Sequence, residues 1–152
     1  MEYLIGVGLA LLVCAFAMLV GFDRDRVFYP TMVLVVATYY ILFAVMGSSM
    51  TALGLESAAA TGFVVLAVVG FRKSLWLIVA ALVGHGVFDF FHHRVIHNPG
   101  LPVWWPGFCM SYDVLAGGFL AMLLLTRRSG FGSSTGVTAS RTAARGEAGP
   151  PF

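Results

Sequence analysis

From Tyr3 to Val20 the chain carries no charged side chain. A helix needs ~17–25 largely apolar residues to cross a bilayer, and four further runs approach that length. The second begins after Pro30, a residue suited to the first turn of a helix, and reaches Met46. The charged turn Asp23-Arg24-Asp25-Arg26 separates it from the first, and Gly47-Ser48-Ser49 ends it. The third extends from Thr51 to Phe71, carries Glu56 in its opening turns and closes on Arg72-Lys73. The fourth starts at Leu75 and reaches Phe91, with His97 as its outer limit. A loop from Asn98 to Gly107 follows, rich in Pro, Gly and Trp, and the fifth run covers Phe108 to Thr126 before Arg127-Arg128.

Composition agrees with the runs. Hydrophobic residues make up 59% of the chain and charged residues 11%, against about 25% charged in a soluble domain. The expected architecture is therefore all-α, an integral membrane bundle of about five transmembrane helices over residues 1–128. No basic stretch precedes the first run and no small-residue cleavage site follows it, so it reads as a retained span. From Ser129 onward the chain is Gly, Ser, Thr, Ala and Pro with scattered charges. Such a segment buries too little apolar surface to fold, so residues 129–152 are expected to form a disordered cytoplasmic tail. No Lys/Arg-rich run is interleaved with aromatics, so nucleic-acid binding has no support. Cys14 and Cys109 give no disulfide framework.

Lys/Arg bias sets the expected orientation. With the N-terminus outside, Arg24, Arg26, Arg72, Lys73, Arg127 and Arg128 fall on the cytoplasmic side and only Arg94 on the outer side. N-out, C-in in a plasma or inner membrane follows.

All four histidines lie between Gly84 and His97. At about 100° per residue, His85, Asp89, His92 and Ile96 share one helical face, with His93 at its edge. Ionisable groups inside a membrane are costly and by default mark a functional site. At ~1.5 Å per residue from the cytoplasmic ends, His85 lies about 16 Å up, Asp89 about 22 Å and His92 about 27 Å. On the same count Glu56 lies about 24 Å up, Asp113 about 21 Å and Cys109 about 27 Å. Carboxylates from three helices thus meet at one level in the outer half of the bilayer.

Such groups repel one another in low dielectric unless protons, Arg94, protonated histidines or a metal neutralise them. Histidine with carboxylate suits a divalent Zn, Fe or Mn, and carboxylate-rich helix bundles build metal sites from inward Glu and His. The expected metal ligands are His85, Asp89, His92 and His93, with Glu56 and Asp113 as the catalytic carboxylates. Plainer roles exist for each residue. His93 and His97 would serve as interfacial residues, and His85 would bond a neighbouring backbone. Glu56 would favour a helix N-terminus and Asp113 would cap the last span. None of these explains the shared depth. Trp104 and Trp105 suit the aromatic belt of the outer interface, or a Pro-stiffened lid over the site. Tyr39 and Tyr40 read as packing residues unless a hydroxyl faces the bundle. Ser48 and Ser49 read as ligands, caps or neither.

The arrangement resembles a domain-of-unknown-function family of small multi-spanning membrane proteins. The resemblance rests on Glu56, the basic turn Arg72-Lys73, His85/Asp89/His92/His93, Asn98-Pro99 and Cys109/Asp113, and covers Leu55 to Leu120. Leu55 stands where that family tends to have an aromatic residue, and Tyr112 where a second cysteine often sits. The resemblance implies that the polar residues act as a group, and it lends no activity.

Three functions are compatible with these residues. The first is a metal-dependent membrane enzyme, hydrolase or oxidoreductase, acting on a lipid or isoprenoid-like substrate, with the metal activating water or dioxygen and a free carboxylate as base. The second is a non-enzymatic subunit of a homo-oligomer or larger membrane complex, its glycines allowing close helix packing and His85 binding a pigment or haem. The third is a proton or metal-ion carrier. Four histidines are too few for a histidine-rich di-iron hydroxylase, and the cytoplasmic half offers almost no polar path for a carrier.

Overall fold

A computed structural model describes the backbone of residues 1–145 and the side chains of residues 1–126. The fold is all-helical: α1 Glu2–Val20, α2 Phe28–Met46, α3 Met50–Lys73, α4 Leu75–Val95 and α5 Trp105–Arg145. There is no strand among the described residues. Five stretches are long and apolar enough to cross a membrane, the last being Trp105–Thr126 of α5. Met1–Ala121 form one compact unit and the chain from Met122 a second, and every side chain discussed below as part of a site belongs to the first. The tail expected to be disordered from Ser129 lies outside the residues whose side chains are described.

Local chemistry sets the helix ends. Gly21 closes α1 at φ 91°, a left-handed conformation that costs glycine nothing, with its N–H donated to the Ala17 carbonyl. Ser49 caps α3, its Oγ accepting from Ala52 N at 3.2 Å, and Ser74 caps α4 by accepting from Trp76 N at 3.3 Å. Two helices begin earlier than the sequence suggests. α2 starts at Phe28 rather than after Pro30, and α5 at Trp105 rather than at Phe108. In both, a proline (Pro30 or Pro106) sits inside the first turn, where its missing N–H leaves no intrahelical bond unmade.

Small residues let the helices approach. The buried stripe of α1 is Gly6, Ala10, Cys14 and Ala17, and Gly6 lies so close to Phe108 and Ser111 of α5 that a Cβ there would overlap them. On α4, a Cβ at Gly86 would come within 2.9 Å of Val114 Cγ2 and 3.1 Å of the Met110 carbonyl. That contact brings the inward faces of α4 and α5 together.

The remaining faces of α1 are apolar and exposed, Leu4, Leu12 and Leu19 among them. Patches of that extent are not tolerated by a monomer in water, and lipid is the solvent that suits them.

The two ends of the bundle differ. At one, Arg26 Nη2 donates to the Phe71 carbonyl at 3.0 Å. At the other, Gly47 meets Gly100, and Gly107 meets Glu2 and Tyr3. Glu56, Asp89 and Tyr40 lie six residues, ~9 Å, from the helix ends on that second side, and Asp113 eight residues, ~12 Å.

Candidate metal centre

The inward face expected of α4 is the one the fold buries. His85, Asp89 and His92 are buried, with Gly86 beside them, whereas His93 on the neighbouring face is exposed. Because Gly86 admits α5 so closely, Asp113 and Cys109, one turn apart on α5, reach the same point. His85 Nδ1 lies 2.7 Å from Asp113 Oδ2 and 3.4 Å from Asp89 Oδ2. Cys109 Sγ lies 3.6 Å from Asp113 Oδ2. Donor atoms of His85, Asp89, Cys109 and Asp113 all fall within 4.8 Å of one another, and all four residues are buried.

One nitrogen cannot satisfy both carboxylates. Nδ1 carries at most one proton, and Asp113 is the closer acceptor. Asp89 Oδ1 accepts from the Tyr40 hydroxyl at 2.6 Å, but Asp89 Oδ2 and Asp113 Oδ1 are buried with no hydrogen-bond donor. A protonated His85 between two ionised carboxylates leaves a net negative charge out of water, which is expensive. A divalent cation held by Asp89, Asp113 and neutral His85 brings the sum for those three groups to zero. The donor set, one nitrogen, carboxylate oxygens and a thiol, is one that zinc accepts. The residues therefore fit a metal ion.

A second buried group lies nearer the Asn98 loop. His92 Nε2 is 2.8 Å from Glu56 Oε1, and that oxygen also accepts from Asn98 Nδ2 at 3.0 Å. Asn98 Nδ2 donates to the Tyr40 carbonyl at 3.2 Å as well, while its Oδ1 accepts from Gly100 N at 3.3 Å. Glu56 Oε2 and His92 Nδ1 have no partner. Tyr40 connects the two groups: its ring lies 4.5 Å from that of His92, while its hydroxyl is on Asp89.

The expected site residues thus separate. Asp89 and Asp113 converge on His85, with Asp113 among the candidate ligands rather than standing apart as a base. Glu56 and His92 pair with each other, and Glu56 is linked to Asp89 through Asn98 and then Tyr40. His93, named beside His92 as a ligand, is exposed and touches the group only as a ring 5.9 Å from that of His92. The physical reason is helical phase: one residue of advance turns a side chain about 100° away.

Three members of the network were not singled out as ligands. Cys109 carried a usable signal, since Cys-x-x-x-Asp puts it on the Asp113 face. The Tyr40 hydroxyl faces the bundle, the alternative to simple packing that its mid-span position leaves open, and Asn98 carries no more signal than its place in the Asn98-Pro99 pair. A buried Asn makes its hydrogen bonds wherever the fold offers partners, and nothing local in the sequence names those partners.

A cavity of about 600 Å³ lies beside the centre, between α1, α2 and the start of α5. Its wall is mostly apolar and aromatic, Trp104, Trp105 and Phe108 among it, and it also includes Cys109 and one charged residue, Glu2. The same cysteine therefore borders both the cavity and the ligand group. No protein-family model, curated protein or solved structure matches the chain.

Proposed function

We propose that this chain is a small multi-pass membrane enzyme whose metal, held by His85, Asp89 and Asp113, acts on a lipid-like substrate. The observation that carries the reading is the convergence of four buried donor atoms within 4.8 Å next to an apolar cavity bordered by one of them. Three protein ligands with a fourth position open is the pattern of catalytic zinc, and four is the pattern of structural zinc. Cys109, on the cavity side, decides between them: withdrawn, it leaves the fourth position for water or a substrate oxygen. A bound metal would supply Lewis acidity and lower the pKa of a bound water. Glu56, which is not among the four, is the carboxylate left to accept a proton, at its unpartnered Oε2. The preferred orientation is N-out, C-in, which puts the site in the outer half of the bilayer. A cysteine at Val103, 86% exposed, should then label from outside and one at Lys73 from inside; the reverse pattern would overturn the orientation.

One distance favours a second reading. At 2.7 Å, His85 to Asp113 is an ordinary hydrogen bond, so the cluster also holds together as a proton-sharing group. The buried carboxylates and histidines among the described residues lie between the middle of the bundle and the Asn98 loop. A relay would therefore stop at mid-depth, which counts against transport. Elemental analysis of detergent-purified protein, with an optical spectrum, separates these readings. Stoichiometric metal without a chromophore is the expected result. No metal leaves the proton-sharing reading, and a Soret or pigment band would point to a cofactor-carrying subunit.

A further inference from the structure

The two oxygens of Asp89 carry different loads. Oδ1 accepts from the Tyr40 hydroxyl at 2.6 Å, whereas Oδ2 lies 3.4 Å from His85 Nδ1 and accepts no hydrogen bond. Asp113 differs. Its partners, His85 and Cys109, belong to the ligand group themselves, whereas Tyr40 stands outside it. Tyr40 is 2% exposed, and its ring centroid lies 4.5 Å from that of His92, 5.8 Å from His85 and 6.4 Å from Phe88. Its carbonyl accepts from Asn98 Nδ2 at 3.2 Å. Contacts from α4 and the Asn98 loop thus fix where its hydroxyl points. A carboxylate binds a cation through one oxygen or through both. A hydrogen bond to one oxygen draws charge from it and holds the group's orientation, which favours binding through the other.

From this asymmetry we infer that Tyr40 is a positioning residue of the metal centre, reserving Asp89 Oδ1 so that Asp89 reaches the ion through Oδ2 alone. Binding through one oxygen leaves free the coordination position that the second oxygen would fill. Tyr40 therefore keeps a place open beside His85, Asp89 and Asp113, which is what separates a catalytic from a closed site. The hydroxyl touches neither metal nor substrate, and it acts only through Asp89. The inference rests on the metal-centre reading.

The test adds Co²⁺ to the full chain, purified in detergent and stripped of metal with a chelator. Cobalt reports its own geometry, because four-coordinate sites absorb visible light more strongly than five-coordinate ones, whereas zinc is d¹⁰ and silent. The parent should take up one ion per chain with the strong bands of a four-coordinate site. Tyr40→Phe keeps the ring and removes the hydroxyl. It should bind cobalt about tenfold more weakly, the low end of what losing a ligand's outer partner costs, and its bands should weaken as the second Asp89 oxygen closes in. Asn98→Ala frees the Tyr40 carbonyl but spares the hydroxyl, so it should keep the parent's spectrum and affinity. Infrared difference spectra of the parent, with and without cobalt, need no variant. They should show the widely split carboxylate stretches of one-oxygen binding. A Tyr40→Phe spectrum matching the parent's would overturn the inference, whatever the affinity. So would the same spectral change in Asn98→Ala, or narrowly split stretches alone in the infrared. A parent that takes up no cobalt would instead sink the metal-centre reading, and the positioning role with it.

Discussion

Two histidine–carboxylate groups sit in one half of this bundle, joined by Tyr40, and they are built differently. Around His92, a single carboxylate oxygen of Glu56 takes both the imidazole and the Asn98 amide, and Asn98 in turn ties the loop to α2 and to Gly100. That group ties the loop to the bundle through one oxygen, with Glu56 Oε2 and His92 Nδ1 left without partners. Around His85, two carboxylates share one ring nitrogen, and an oxygen of each is left without a donor. The second arrangement is short of positive charge by construction. The contrast teaches that histidine and carboxylate alone do not identify a metal centre. What identifies it is the ratio of acceptors to protons at one point.

Mutations that act on one group and spare the other test this division. The largest effect is expected from His85→Ala or Asp113→Ala. Each should abolish metal binding and cost roughly 3–5 kcal/mol, because a buried charge loses its partner; elemental analysis and thermal denaturation in detergent read both. Asn98→Ala should cost about 1–3 kcal/mol, since it leaves the Glu56 oxygen and the Tyr40 carbonyl each short of a donor. Hydrogen exchange should rise from Pro99 to Trp104, and metal content should hold. Glu56→Gln retains an acceptor for His92, so a loss of only about 0.5–1.5 kcal/mol is expected, again with metal retained. Metal lost with Glu56→Gln would merge the two groups and break the comparison. The smallest effects belong to His93→Ala and His97→Ala, both at exposed positions, which should change stability by less than about 0.5 kcal/mol.

Much of this was legible beforehand, for identifiable reasons. Five apolar runs gave five helices, and the phase of α4 correctly buried His85, Asp89 and His92, since a helix repeats every 3.6 residues whatever surrounds it. Rise per residue is fixed as well, and Glu56, Asp89 and Asp113 each lie six to eight residues inside a helix end. Rotation of one helix against another was not. Whether Glu56 faces His85 or His92 depends on how α3 is turned against α4, and Ala60, Ala67 and Gly70 on its buried face permit more than one setting. The close approach of α5 at Gly86 likewise decides that Cys109 joins the group. Only the contact itself reveals it.

X-ray absorption at the edge of whatever metal copurifies tests the central claim most directly, because it counts the histidines around the ion. The account predicts a shell with one imidazole and oxygen donors at ~2.0–2.2 Å, with a sulfur at ~2.3 Å if Cys109 is engaged, lost in Asp113→Ala and unchanged in Glu56→Gln. A shell holding two imidazoles, or protein purified intact with no metal to absorb, would contradict it.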